Sequence, residues 1–253
     1  SSIKKMKKKN PKISFKSDFI FVLGKNDKFY MSKYIKGKYF ISGNLLNNVF
    51  NQKKIKNYHK LDEIVFISSR KYYSFQDYTN HIDFKLFSYL LDYCKRREIK
   101  LTYLSKSGQD KKKHIQKLFY YKKFNYISFR KNSKSILDFN SYKTLSKSKL
   151  IIFSVSSIGH EFISKGVKGI SFNPNFPNKN FCKKYNEYGI YWSKKIDFKN
   201  FDKMINKVFY MKQSEWDKKT KKVSSEILKY DHNNQNNIFI FKKVFKSYLN
   251  SFF

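Results

Sequence analysis

From Ser148 to Phe172 the chain reads SKLIIFSVSSIGHEFISKGVKGISF: an apolar run, paired serines, a glycine, an acid, then a second apolar run marked by glycine. These residue types at this spacing suit phosphate and hydroxyl chemistry. The first backbone N–H groups of a helix lack intrahelical partners and point at whatever lies ahead of it. Ser156 and Ser157 add hydroxyl donors at such a point, and Gly159 permits close approach. Glu161 lies about one turn into the helix; when ionised it offers only acceptors, which suits the vicinal hydroxyls of a ribose or sugar. Each residue also has a plainer role. A serine ahead of a helix serves as an N-cap, Glu161 complements the helix dipole, and His160 packs or is solvated.

The flanking pattern places this cluster at the end of a strand. From Glu63 onward, short apolar runs alternate with amphipathic stretches. Strands are expected at Glu63–Ser69, Ile99–Lys106, Phe124–Arg130, Lys149–Val155 and Lys168–Asn173. Helices are expected between them at 81–97, 109–121, 140–148 and over GHEFISK, the last ended by Gly166 in a left-handed conformation. The first of these carries Ile82, Leu86, Tyr89, Leu90 and Tyr93 on one face. Strands joined by helical crossovers imply a parallel sheet of Rossmann-like α/β type. Ahead of it, Asp18–Gly24 and Gly37–Asn44 read as strands with a short helix between, after a basic lead-in with a turn at Asn10-Pro11. Behind it, helices are expected near 198–211, 213–230 and 234–250, with Ser214 as the N-cap of the second. The organisation is therefore 1–50, a lysine-rich linker 51–62, a Rossmann-like domain 63–190 and C-terminal helices 191–253.

Ligands in an open parallel sheet sit beyond the carboxyl ends of its strands. Polar residues gather there: Ser69 and Arg70 after the first strand, Lys106 after the second, Arg130 after the third, and Ser156 and Ser157 after the fourth. The three basic residues suit phosphate, and equally suit a solvated surface. No GxGxxG, GxxxxGK[ST] or GxSxG occurs in the chain, which turns the reading away from dinucleotide enzymes, P-loop NTPases and α/β-hydrolases.

The net charge of +37 over 253 residues is the loudest feature and the easiest to over-read. The chain contains no alanine and only four arginines, Arg70, Arg96, Arg97 and Arg130; its excess lies in Lys, Asn, Ile, Phe and Tyr, whose codons are A/T-rich. Compositional drift accounts for that pattern. Sequence-specific readers of nucleic acid lean on arginine, and lysine spread end to end makes no stripe, so no specific nucleic-acid partner is expected. A basic surface still attracts anionic substrates and the anionic inner leaflet of a membrane. With 40% hydrophobic residues, the chain can bury a sizeable core. Cys94 and Cys182 have no metal spacing and are expected as free thiols in a reducing compartment. The chain opens Ser-Ser rather than Met, as expected of a fragment or a processed form.

The segment SKLIIFSVSSIGHEFISKGVKGISF resembles the donor site of GT-B glycosyltransferases, in which a strand leads to Ser/Thr pairs, then Gly-x-Glu, a helix and Gly. FVLGKNDKFYMSKYIKGKYFISGNLLNN, SYKTLSKSKLIIFSVSSIGHE, YGIYWSKKIDFKNF and SEWDKKTKKVSSEILKYDHNNQN extend the likeness, more narrowly to transferases of bacterial surface-carbohydrate biosynthesis. CDP-glycerol glycerophosphotransferases share a similar layout. The resemblance implies two Rossmann-like domains, the donor on the C-terminal one, with residues 18–50 as the end of an N-terminal domain. It implies that Ser156, Ser157 and Glu161 contact donor phosphates and sugar or ribose. It implies metal-independent chemistry without a cofactor, the nucleotide-sugar being substrate, and a glycan or lipid-linked acceptor. The expected location is cytoplasmic, including the inner membrane face. The acceptor's general base and the anomeric outcome stay unassigned. Competing readings are a nucleotide-sugar epimerase, a phosphotransferase of the same fold, an inactive relative, or a basic module for nucleic acid or membrane surfaces.

Overall fold

The alternation of strand and helix signals is met by two parallel sheets in a computed structural model, which describes residues 15–50, 61–69, 76, 79–104, 127–129, 140–174 and 189–249. The chain divides into two units. One holds residues 1–51, 177–183 and 222–253; the other holds 52–176 and 184–221.

In the first unit, β1 (Phe15–Val22) pairs in parallel with β2 (Ile35–Ile41) through a crossover carrying α1 (Lys25–Met31). Gly43 follows β2 with φ +69, and a Cβ there would meet the Lys229 carbonyl, so the turn requires glycine. Helix α2 (Leu45–Val49) is capped by Asn44, whose side chain accepts from the Leu46 and Asn47 N–H groups. Asn48 is wholly buried and donates to the Ser42 carbonyl, while its own amide oxygen accepts from the Asp231 N–H. Asp231 in turn accepts from the Asn236 and Asn237 N–H groups at the start of α8 (Gln235–Leu249). A net of buried amides thus fastens the end of the chain to the strand end at Ser42.

In the second unit, six parallel strands lie in the order β5-β4-β3-β6-β7-β8. They are β3 (Leu61–Ile67), β4 (Lys100–Leu104), β5 (Ile127–Phe129), β6 (Ser148–Phe153), β7 (Gly169–Phe172) and β8 (Trp192–Ser193). Burial on both faces explains their apolar runs: Ile64, Val65, Phe66, Leu150, Ile151, Ile152 and Phe153 have no exposed surface. Between the strands run α3 (Ile82–Arg96), α4 (Asn140–Lys147) and α5 (Ser157–Ser164). Helix α3 buries Leu86, Phe87, Leu90, Leu91, Tyr93 and Cys94. The Cys94 thiol is free, and burial pushes its pKa up to about 12, so it is an inert packing group. Helix α6 (Phe198–Tyr210) packs on α3 through Tyr89, Phe198 and Phe201. Arg96 and Arg97 reach Asp202 at 3.2 and 3.5 Å, so half of the chain's arginines pin two helices together. The buried Lys168 caps the far end of α6, its ammonium donating to the Phe209 and Met211 carbonyls.

Helix α7 (Gln213–Ile227) begins two residues ahead of where it would start if Ser214 capped it. The Trp216 N–H already donates to the Lys212 carbonyl at 3.0 Å, which puts Ser214 inside the first turn. Gln213 anchors this start by donating from its side chain to the Gly166 carbonyl and to Asp217. The helix expected at 109–121, the turn at Asn10-Pro11 and Cys182 lie outside the described residues. Among the described residues, no helix is long and apolar enough to cross a membrane.

Candidate functional site

The strand order reverses between β3 and β6: the chain builds β3, β4 and β5 outward, then returns to the other side of β3. A reversal of this kind opens a crevice at the carboxyl edge of a sheet, where ligands of open α/β folds bind. Ser68 and Ser69 leave β3 at this point, and Ser154, Val155 and Ser156 leave β6.

Asp83 ties the two exits together. It lies in the first turn of α3, wholly buried, where the His81 side chain accepts from its N–H. One carboxylate oxygen accepts from both the Ser69 N–H and the Ser69 hydroxyl at 2.8 Å, and the other accepts from the Ser154 hydroxyl. The Ser171 hydroxyl donates to the Ser154 carbonyl, which extends the net to β7. A carboxylate at a helix N-terminus with three donors is strongly held. Ser69, expected to face a ligand, therefore has both its N–H and its hydroxyl proton directed at Asp83.

The rim of the reversal is the start of α5. The Ser156 hydroxyl accepts from the Gly159 N–H at 3.4 Å, so Ser156 is the N-cap. Ser157, the first helical residue, is exposed, and the N–H groups of Ser157 and Ile158 precede the first intrahelical bond. Gly159 is buried, and the approach it permits is to Phe153: a Cβ there would lie 2.5–2.7 Å from that ring. Phe153 has no exposed surface and cannot yield. Gly159→Ala is expected to cost about 1–3 kcal/mol by overpacking. Chemical denaturation with an unchanged slope would register it, and a loss below about 0.5 kcal/mol would contradict the packing account.

Glu161 is the fifth residue of α5, one position beyond its first turn, and is only 3% exposed. Its Oε2 accepts from the Tyr142 hydroxyl of α4 at 2.5 Å. Burial, then the Glu161 charge and this hydrogen bond, raise the Tyr142 pKa well above its ordinary value. Lys165, at the C-cap, has its pKa lowered to about 8 by burial, with the Glu161 charge opposing. Gly166 follows at φ +87, the left-handed ending expected of it. The half-buried His160 packs edge-on against Phe153, and burial lowers its pKa to about 4, so the imidazole is neutral at neutral pH.

The Lys165 shift predicts a pH slope. An unfolded lysine holds its proton to about pH 10.5 and the folded Lys165 only to about 8. Between these values the unfolded state binds more protons, so stability rises with pH over that window. Lys165→Met is expected to flatten the rise between pH 8 and 10, read from denaturant midpoints. An unchanged slope would contradict the assignment.

Arg70, Lys106 and Arg130 lie outside the described residues. The structure brings together Ser69, Ser156, Ser157, Gly159 and Glu161 around the β3–β6 reversal, and it adds Asp83, Ser154 and Tyr142, which the sequence reading missed. Asp83 carried one local signal, an acid in the first turn of a helix behind a strand.

A doubly wound parallel sheet whose reversal carries a serine-capped helix defines a Rossmann-like α/β protein, a fold it shares with structures of the GT-B kind. The chain belongs to the family described as "putative O-antigen biosynthesis protein", whose match runs over residues 2–245 and places it in surface-glycan biosynthesis. No curated protein matches it. Among solved structures, a variant of the wall teichoic acid polymerase TagF is similar with a TM-score of 0.50 at 10% identity, over 93% of this chain and 59% of that one. The same polymerase soaked with CDPG gives 0.48 at 11% identity, over 93% and 57%. A "putative UDP-N-acetylglucosamine 2-epimerase" from Listeria monocytogenes gives 0.45 at 12% identity, over 80% and 51%. The chain thus spans between half and three-fifths of the length of these proteins, and at such identity the likeness concerns the fold alone.

Proposed function

We propose that the protein is a glycosyltransferase that moves a sugar from a nucleotide-sugar donor to a growing lipopolysaccharide or capsular glycan. The observation that carries this reading is the coincidence of the strand-order reversal with the start of α5. Donor phosphates would sit on the Ser157 and Ile158 N–H groups and the Ser157 hydroxyl, with the helix dipole favouring their charge. Asp83 would hold the two strand exits at fixed spacing without touching the donor. Arg70, Lys106 and Arg130, which follow β3, β4 and β5 in sequence, would balance charge on the leaving nucleotide. In the transfer the bond from the anomeric carbon to phosphate oxygen breaks and its electron pair leaves with the nucleotide. A bond from the acceptor oxygen to the anomeric carbon forms, and the acceptor proton passes to a base. The reaction would need no metal or cofactor and would take place on the cytoplasmic side, with a lipid-linked glycan as acceptor.

Calorimetric titration with a panel of nucleotides and nucleotide sugars tests the reading. One nucleotide class is expected to bind, and Ser157→Ala to weaken it several-fold with thermal stability unmoved, since an exposed hydroxyl carries little folding energy. Affinity unchanged by Ser157→Ala would remove the start of α5 from the site. Conversion of a nucleotide sugar to its epimer with no acceptor present would replace transfer with epimerisation.

A further inference from the structure

Among the described residues, helix α8 is seated by one side. Asn237 and Val244 are buried, and the Phe241 ring stacks on Phe21 of β1 at 4.7 Å. Positions 237, 241 and 244 fall on one face at 100° per residue. The remaining arc carries Ile238, Phe239 and Phe245, which are 49%, 68% and 61% exposed. Lys242 and Lys246 lie between these side chains and Lys243 beside them, all three exposed. From His232 to the last residue the sequence has no Asp or Glu. Three large apolar side chains left in water forgo the stabilisation that burial would give. Interleaved lysines can lay their methylene stems on an apolar boundary while keeping the ammonium in water. Aromatic and aliphatic groups among lysines, with no acid, match a boundary that is apolar beneath and anionic on top.

We propose that α8 is the surface by which the protein docks on an anionic phospholipid membrane. The inference deepens the transferase reading, resting on it for the reason a membrane matters: a lipid-linked acceptor is presented there. The lysines supply attraction to the headgroups, and Ile238, Phe239 and Phe245 enter the acyl boundary.

The test is sedimentation with vesicles of phosphatidylcholine alone or with phosphatidylserine, carrying neither donor nor glycan. The full chain is expected to bind the anionic vesicles. Replacing Lys242, Lys243 and Lys246 with Gln should weaken binding about a hundredfold, at several-fold per lysine. Phe239→Ser with Phe245→Ser should weaken it about tenfold or more. Replacing the exposed Lys85, Lys95 and Lys218 with Gln should change it little. Equal loss with either lysine set would mean a general polycation effect and overturn the proposal. So would vesicle binding indifferent to the α8 substitutions, including the case where those substitutions instead dissociate a dimer. Failure of every nucleotide sugar to bind would sink the transferase reading and leave the vesicle result standing.

Discussion

Asp83→Ala is expected to cost about 3–5 kcal/mol of stability, the largest loss among the substitutions considered. The carboxylate is wholly buried and accepts from the Ser69 N–H, the Ser69 hydroxyl and the Ser154 hydroxyl. Hydrogen bonds to a charged group contribute about 1.5–3 kcal/mol each, and a buried N–H left without an acceptor carries its full desolvation penalty. Asp83→Asn keeps the shape and one acceptor oxygen, so about 1–2 kcal/mol is expected for it. Urea unfolding measures both, and amide exchange at Ser69 should accelerate in step. Less than about 1 kcal/mol for the alanine variant would mean that the carboxylate does not fasten the two strand exits.

Acid sensitivity is the second large effect. The unfolded His160 takes up a proton near pH 6.5 and the folded one only near 4, because burial disfavours the imidazolium. Between these values the unfolded state binds more protons, so stability is fully present above pH 6.5 and is lost as pH falls toward 4. At about 1.4 kcal/mol per pKa unit the loss reaches about 3 kcal/mol. His160→Gln removes this titration and should flatten the acid limb, whatever it does to packing against Phe153. The slope between pH 6.5 and 4 is the readout, and a limb as steep as that of the parent protein would contradict the burial of His160.

Much of the architecture was legible because it is written locally. The helix expected at 81–97 is observed at Ile82–Arg96, since its apolar period fixes both face and length. The five strands expected from Glu63 onward were found; those at Leu61–Ile67, Ser148–Phe153 and Gly169–Phe172 have ends shifted by one or two residues, as hydrogen-bonded ladders stop where partners stop, and the expected ends at 105–106, 124–126 and 130 lie outside the described residues. The sixth, Trp192–Ser193, has two residues and cannot announce itself by pattern. Long-range pairings were not legible. Asp83 meets Ser69 and Ser154 across 14 and 71 residues, and Asn48 meets Asp231 across 183. Nothing in composition or spacing selects those partners. Glu161 shows the same limit at short range. Its type and position were read correctly as an acid just inside a helix, but which side of α5 it faces depends on where α4 packs, and there it meets Tyr142.

Hydrogen exchange on the full chain, with and without the nucleotide sugar that binds best, shows whether the strand-order reversal and the start of α5 hold the donor. Slowed exchange is expected over 68–69 and 154–160, the two strand exits and the start of α5, with the rest of the six-stranded sheet unchanged. Slowed exchange confined to other segments, or none with any nucleotide sugar at saturating concentration, would contradict donor binding there.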